Sequence, residues 1–446
     1  MSKPHDENFP TMIGRIFADE RKKPMRVNGD HVYTLTMQVT EDCNMACTYC
    51  YQHDKTCSTM SFETGKKFID LILAADERTN KYITSTETTG CVLEFIGGEP
   101  FLQIDLIDKL TDYFIKECIR LHHPWATRFR ISISSNGLLY FDEHVQNYIK
   151  KHHTHLALGI SIDGTKELHD MCRIDKNGNG TYDRAMKAAQ AYMETYKAQI
   201  GSKATLSPDN ITMCCDSIIS MIQNGYNVIH VNCIYEKGWT LEHAIILYNQ
   251  LKSLSDYILE NNLEDKIIIS ILDNPNGYKW DKSDHTWCGG NGLMLCCDPR
   301  GDLYPCLRYT PSSMGNMQEL YIIGNVDEGI MTRPEWEQRV DCMSCVTRSA
   351  QCEHAKPECI DCPIATGCGD CAAYNYEING RVDSRATFIC DMHKARVMAS
   401  NYKYNKEVIK HGRSDFKPLN IPKDWAIPIV GEDEYNMLIA LSHTNS

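Results

Sequence analysis

The sequence predicts an α/β fold: a partial (β/α)6 barrel followed by a cysteine-rich domain with a β-hairpin and short helices. Three observations predict it. Strand-like and helix-like patterns alternate about six times, which implies a parallel sheet with right-handed crossovers. Polar or glycine residues recur just past the strand-like runs, at the edge where parallel α/β folds hold ligands. Eleven of the 22 cysteines fall between Cys288 and Cys371, after the alternation ends.

Residues 1–30 are polar and mixed and read as an N-terminal arm. Residues 31–236 read as the barrel. Its first strand, Tyr33–Val39, leads into Cys43-Asn-Met-Ala-Cys47-Thr-Tyr-Cys50. Ser61 can cap a helix reaching about Asp76, with Phe68, Ile69, Ile72 and Leu73 as its buried stripe. Cys91–Ile96 is a short apolar strand ending in Gly97-Gly98-Glu99-Pro100, and Ile104, Ile107, Leu110, Phe114 and Cys118 recur at helical spacing. Strands at Arg130–Ser134 and Leu156–Ile162 run into Asn136 and Asp163. A helix near Tyr182–Tyr196, a weak strand at Lys203–Leu206, a helix near Asp209–Asn224 and a strand at Val228–Ile234 complete the alternation. Residues 237–285, with a long helix at Leu241–Asn261, read as a link to the cysteine-rich domain at 286–400. Residues 401–446 read as a C-terminal extension.

Composition narrows the function classes. No apolar run approaches the length of a membrane span, and residues 1–26 lack the apolar core of a secretory signal. A formal charge of −13 argues against a nucleic-acid scaffold. Thiols do not persist as disulfides in a reducing cytoplasm, the expected location, so ligation or burial is their default. Cys91, Cys118, Cys172 and Cys233 sit in apolar surroundings and read as buried small hydrophobes.

Cys43, Cys47 and Cys50 put three thiols within eight residues. A structural zinc site wants a fourth ligand, whereas a [4Fe–4S] cube can take three cysteines and leave one iron open. This spacing, with Tyr49 before the last cysteine, resembles the cluster loop of radical S-adenosylmethionine (SAM) enzymes. The resemblance implies that Cys43, Cys47 and Cys50 hold the cluster whose open iron chelates SAM. It also implies that Gly97, Gly98, Glu99 and Pro100 form the motif that holds the SAM amino group, with Glu99 offering an acceptor. Asn136, Ser161 and Asp163 are candidates for the ribose or carboxylate, and Arg173 is similar to the arginine aimed at the SAM carboxylate. The run from Ser161 through His169, Arg173 and Gly180 to Asp183 looks like the sulfatase-maturase and peptide-maturase branch.

The later cysteines resemble the SPASM domain, which holds two auxiliary [4Fe–4S] clusters, making three with the SAM cluster. By that resemblance Cys359, Cys362, Cys368 and Cys390 bind one, and Cys288, Cys306 and Cys371 the other. The spacing departs at one point: two residues, not three, separate Cys368 from Cys371. Two zinc ribbons are the alternative. Asp298-Pro299-Arg300-Gly301 suits a type I turn, and pairing around it sets Cys297 opposite Asp302, on the face of Cys306, with Cys296 on the other face. Neither is an easy fourth ligand. What remains is Cys342, Cys345 and Cys352, as candidates to cap the cluster or bind substrate, or an iron left open for substrate; a separate zinc clip or free thiols are the alternatives for that trio.

The resemblance implies an oxidoreductase that modifies a ribosomally made peptide, drawing electrons from a low-potential donor such as flavodoxin or ferredoxin. In sulfatase maturases an aspartate after the Tyr-Pro-Cys cysteine looks like the general base. Here the text is Tyr304-Pro305-Cys306-Leu307-Arg308. That favours a thioether or other side-chain cross-link over formylglycine formation, the rival within enzymes. The rival from another class is a zinc-stabilised binding protein. Peptide maturases often carry a winged leader-binding domain before the barrel, which 30-odd residues cannot hold, so a separate leader-binding protein or another docking surface is expected.

Overall fold

The computed structural model describes residues 32–74, 76–83, 90–198, 200–273, 277–279, 288–315, 319–345 and 356–442. The expected N-terminal arm, Cys352 and the side chain of Cys345 lie outside these residues. Six strands follow one another in space as in sequence: β1 (Val32–Thr40), β2 (Gly90–Gly97), β3 (Phe129–Ser135), β4 (Leu156–Ile160), β5 (Ser202–Leu206) and β6 (Val228–Cys233). All neighbouring pairs are parallel, and a single bridge between Gly159 and Gly201 joins β4 to β5. The crossovers are α1 (Phe62–Leu73), α2 (Ile104–Arg120), α3 (Glu143–His152), the consecutive pair α4 (Lys166–Cys172) and α5 (Tyr182–Tyr196), and α6 (Cys214–Gln223).

Alternation along the strands separates two faces. Leu35, Met37, Leu93, Phe95, Ile131, Ile133, Leu158 and Ile160 are buried in the continuous core shared with the helices. Thr36, Glu94, Ser132, Lys203 and His230 occupy the alternate positions, which face the barrel interior. Ser61 caps α1 as expected, accepting from Thr64 N. The expected linking helix, α7 (Leu241–Glu260), instead carries the chain from β6 to β7 (Ile268–Ile269), parallel to β6. It is therefore a crossover like the others, leading to a strand too short to stand out in sequence.

The cysteine-rich segment extends the same sheet. β8 (Met294–Cys297) pairs parallel with the free edge of β1, and β9 (Asp302–Tyr304), β10 (Gly324–Asn325) and β11 (Gly329–Ile330) follow antiparallel. The type I turn forms, with Gly301 N donating to Asp298 O at 3.1 Å. Gly301, however, lies at φ +93° and adds a bulge residue. Cys297 consequently pairs with Leu303 and Cys296 with Tyr304. This one-residue slip reverses the expected faces: Cys296 shares the face leading to Cys306, while the Cys297 thiol turns to Asp298 O.

Beyond the sheet lie α8 (Pro334–Cys345), α9 (Ala372–Asn379), α10 (Cys390–Lys410), α11 (Lys423–Val430) and α12 (Glu432–Leu441). α10 packs along α7, with Tyr402 on Asp256 of that helix at 2.7 Å, and also reaches the segment after β7 through Lys403 on Asp273 at 2.8 Å. No helix among the described residues is long and apolar enough to cross a membrane.

Phe114 on α2 is fully buried and meets Phe129 of β3 edge-on at 5.6 Å. Phe114→Ala is expected to cost about 3–5 kcal/mol, read as a lower denaturant midpoint with an unchanged slope.

Candidate active site

The loop carrying Cys43, Cys47 and Cys50 leaves the C-terminal end of β1 and is held from two sides. On one side Gly98 N donates to Thr40 O at 3.1 Å and Glu99 N to Asp42 O at 2.9 Å. A Cβ on Gly98 would lie 2.2 Å from Asp42 O, so this approach requires glycine. On the other side Ala46 N donates to Ile174 O and Thr48 N to Cys172 O, at 2.8 and 2.9 Å. Asn136 bridges across, its Nδ2 2.7 Å from Asn44 Oδ1 and 4.0 Å from Cys43 Sγ. Lys55 Nζ lies 3.2 Å from Cys50 Sγ. Burial pushes Cys47 up to about 11, with the Arg173 charge pulling it back.

Glu99 is buried at the end of β2. Its carboxylate accepts from Phe101 N, Ser135 Oγ and Asn136 N at 2.8–3.1 Å, tying the end of β2 to the end of β3. Burial raises it to about 7. Pro100 opens the short 3-10 turn that follows. Asn136 likewise spends its carbonyl on Leu138 N. Ser161 N donates to Ser135 O, continuing the β3–β4 ladder.

Asp163 and Arg173 form a buried ion pair, with side-chain exposures of 0% and 12%. Arg173 Nε and a terminal nitrogen donate to the two carboxylate oxygens at 2.9 and 3.3 Å. The Tyr49 hydroxyl also donates to Asp163, and the guanidinium stacks on the Tyr49 ring at 5.5 Å. Burial works against the Arg173 charge, yet Asp163 and its other anionic neighbours hold it above its ordinary value. Behind the pair stands His169, fully buried and lowered by desolvation to about 4, hence neutral. Its Nδ1 accepts from Asp163 N at 3.4 Å, its Nε2–H donates to Thr181 Oγ1 at 3.0 Å, and that hydroxyl donates to Arg173 O at 2.8 Å.

Below this rim, strand register aligns Cys296, Thr36, Glu94 and Ser132 in one row across β8, β1, β2 and β3. Thr36 donates to Glu94 Oε2 at 2.7 Å. Burial raises Glu94, with Thr36 and Lys203 opposing. Lys203 pairs with His230 across β5 and β6, and burial lowers both. Glu94 and Lys203 carry no expected role from sequence. Their signal is a charged residue at an inward position of an otherwise apolar strand.

The later cysteines form two groups. Cys306 lies within electrostatic reach of Cys288 and Cys371. Cys390 has Cys359 and Cys362 as neighbours, and Cys368 has Cys390. Arg385 and Arg396 flank the second group, with Arg396 held by His393 and Gly367 O. Burial is the first cause raising each of these thiols, to about 12 for Cys368, Cys371 and Cys390. Such thiols stay protonated unless a metal displaces the proton. Backbone N–H groups already face the sulfurs: Met45 at Cys43, Gly290 at Cys288, Arg308 and Tyr309 at Cys306, Ile364 at Cys362 and Tyr374 at Cys371. A zinc tetrahedron would bring sulfurs to about 3.8 Å, from bonds of about 2.3 Å. Among the described residues, only Asp108, Asp112 and His152 place three ligand atoms within 4.8 Å of one another, and Lys151 bridges those aspartates. The donor chemistry of the thiol groups, sulfur ligands faced by backbone N–H groups, fits an iron–sulfur cluster. Cys342 is exposed on α8, whereas its neighbour Met343 is buried, with its sulfur 3.0 Å from the Tyr309 hydroxyl.

Residues 37–202 match the model of the radical SAM superfamily. The chain is 24% identical over 301 residues to a cysteine-type anaerobic sulfatase-maturating enzyme of Clostridium perfringens, covering 64% of this chain and 77% of that one. It is 22% identical over 409 residues to the radical SAM cyclopropyl synthase TigE of Paramaledivibacter caminithermalis, covering 84% and 75%. Among solved structures, anSMEcpe with bound AdoMet and Kp18Cys peptide superposes with TM-score 0.59 at 18% identity, over 85% of this chain and 99% of that one. Streptococcus suis SuiB bound to precursor peptide SuiA gives TM-score 0.55 at 14% identity, over 87% and 82%.

His169 has a lowered pKa in the folded state, so the unfolded chain binds the extra proton first. As pH falls from about 6.5 towards 4, the wild type is expected to lose stability relative to His169→Gln, by up to about 3 kcal/mol. Denaturation of both proteins across that window checks this. A constant difference would mean that His169 is charged in the fold.

Proposed function

With residues 37–202 a radical SAM domain, the chain is a radical SAM enzyme, and we propose that it matures a ribosomally made peptide by forming a thioether or other side-chain cross-link. The observation that carries this reading is the company of three separated thiol groups with a Cys306-Leu307-Arg308 segment that places no carboxylate after the cysteine. Cys43, Cys47 and Cys50 would hold the SAM-binding cluster. Cys288, Cys306 and Cys371 would hold one auxiliary cluster, and Cys359, Cys362, Cys368 and Cys390 the other. When bound, the first cluster together with SAM would supply hydrogen-atom abstraction, and the auxiliary clusters an electron sink.

The chain's own residues do the rest. Arg173, aimed by Asp163 and Tyr49, orients the SAM carboxylate. Gly97 and Gly98 admit backbone close to the cofactor, and Glu99 and Asn136 keep the strand ends and cluster loop in register. The inward row of Thr36, Glu94 and Ser132 lines the space for the peptide side chain. Closing a carbon–sulfur bond removes one hydrogen atom, one proton and one electron from substrate. Glu94, raised by burial and faced by Lys203, accepts that proton at Oε. A low-potential donor such as flavodoxin or ferredoxin supplies reducing electrons. SuiB, solved with its precursor peptide, supports a peptide substrate.

Formylglycine-type oxidation of a Cys or Ser is the second reading, favoured by the relationship to the sulfatase-maturating enzyme. Incubating the reconstituted protein with SAM, dithionite and a panel of cysteine- and serine-containing peptides separates the two. The expected product is two hydrogens lighter, with an internal cross-link in its fragment spectrum. An aldehyde-reactive product without a cross-link would replace the first reading with the second. Failure to release 5′-deoxyadenosine under any condition would overturn both.

A further inference from the structure

Arg308 sits where the two halves of the chain meet, and the polar chemistry converging on it exceeds what a surface arginine needs. Its side chain is 11% exposed. One terminal nitrogen donates to Glu236 Oε1, just beyond β6, at 2.8 Å, and to Glu377 Oε2 on α9 at 3.1 Å. The other lies 3.4 Å from the carbonyl oxygen of Tyr51, the residue after Cys50. The guanidinium lies over the Tyr51 ring at 5.1 Å and over the Tyr374 ring at 5.5 Å. Its Nε is buried with no hydrogen-bond partner.

These contacts fix a permanent cation beside one thiol group in particular. Arg308 follows Cys306 by two residues in the 3-10 turn that Cys306 opens. Tyr374 and Glu377 lie in the helix that Cys371 opens. The guanidinium is thus anchored to the elements carrying two of the three thiols, and its charge reaches Cys371.

We propose that Arg308 sets the redox poise of the centre held by Cys288, Cys306 and Cys371, keeping its reduction potential above the value it would have without this cation. This rests on the reading of those cysteines as iron–sulfur ligands. Each electron entering a cluster adds one negative charge, which a nearby cation in a low-dielectric setting stabilises. The effect makes this centre the better acceptor for the electron released when the product bond closes. Glu236 and Glu377 oppose the cation, and removing Arg308 leaves them uncompensated, which acts in the same direction.

The test is an EPR-monitored potentiometric titration of the iron-loaded protein in a background where Cys43, Cys47 and Cys50 are replaced by Ala, so that only the later centres report. Arg308→Gln is expected to move one midpoint to lower potential and leave the other nearly fixed. Arg308→Lys keeps the charge while losing the planar fork, and is expected to stay near the wild type. Glu377→Gln removes an opposing charge and is expected to move the same midpoint upward; it decides the matter if Arg308→Gln fails to load iron. Iron-loaded variants with unmoved midpoints, or Lys and Gln behaving alike, would overturn the proposal. A wild type without iron would instead overturn the reading on which it rests.

Discussion

The buried pair of Asp163 and Arg173 is the constraint on which the site's arrangement depends. A guanidinium taken from water is tolerated only when a carboxylate meets it with good geometry. Here Asp163, fully buried at the end of β4, meets it with both oxygens and also receives Tyr49 from the cluster loop. The backbone around Arg173 then docks on the same loop through Cys172 and Ile174. One ion pair therefore joins a strand end, the α4 terminus and the three-thiol loop. The neutral His169 closes the arrangement from behind without adding charge to it.

A second constraint acts on sulfur. Burial raises the thiols of Cys43, Cys47 and the later cysteines that would ligate iron, so the fold disfavours empty thiolates there. Backbone N–H groups and nearby cations oppose that cost at particular sulfurs: Lys55 near Cys43, Arg385 and Arg396 beside Cys368, and Arg308 beside Cys371. The barrel and the cysteine-rich segment share this electrostatic design and also share one sheet, because β8 adds directly to β1.

Much of this was legible in the sequence where a local signal sufficed. The six strands of the barrel, the Ser61 cap and the division of the later cysteines into two groups follow from periodicity, capping chemistry and the SPASM resemblance. What was not legible depends on tertiary pairing. Glu99 reads as an acceptor for a ligand; that its carboxylate also accepts from Ser135 and Asn136, which only folding brings near, was not legible. The hairpin turn was readable from Asp298-Pro299-Arg300-Gly301, yet the bulge at Gly301 shifted the register and exchanged the faces of Cys296 and Cys297. Ile268–Ile269 is too short to announce a strand, so its crossover helix read as a linker. Glu94 and Lys203 carried a sequence signal, a charge within a strand, but their meeting across the barrel requires its closure.

The most direct test of the account is an iron, acid-labile sulfide and zinc count on protein reconstituted and handled without oxygen, repeated after replacing each thiol group with Ala. Three four-iron cubes predict about twelve irons and as many sulfides per chain. The count should fall by about four when Cys43, Cys47 and Cys50 are replaced, and by about four again for each later group. Stoichiometric zinc without sulfide, or an iron count unchanged by losing any one group, would contradict it.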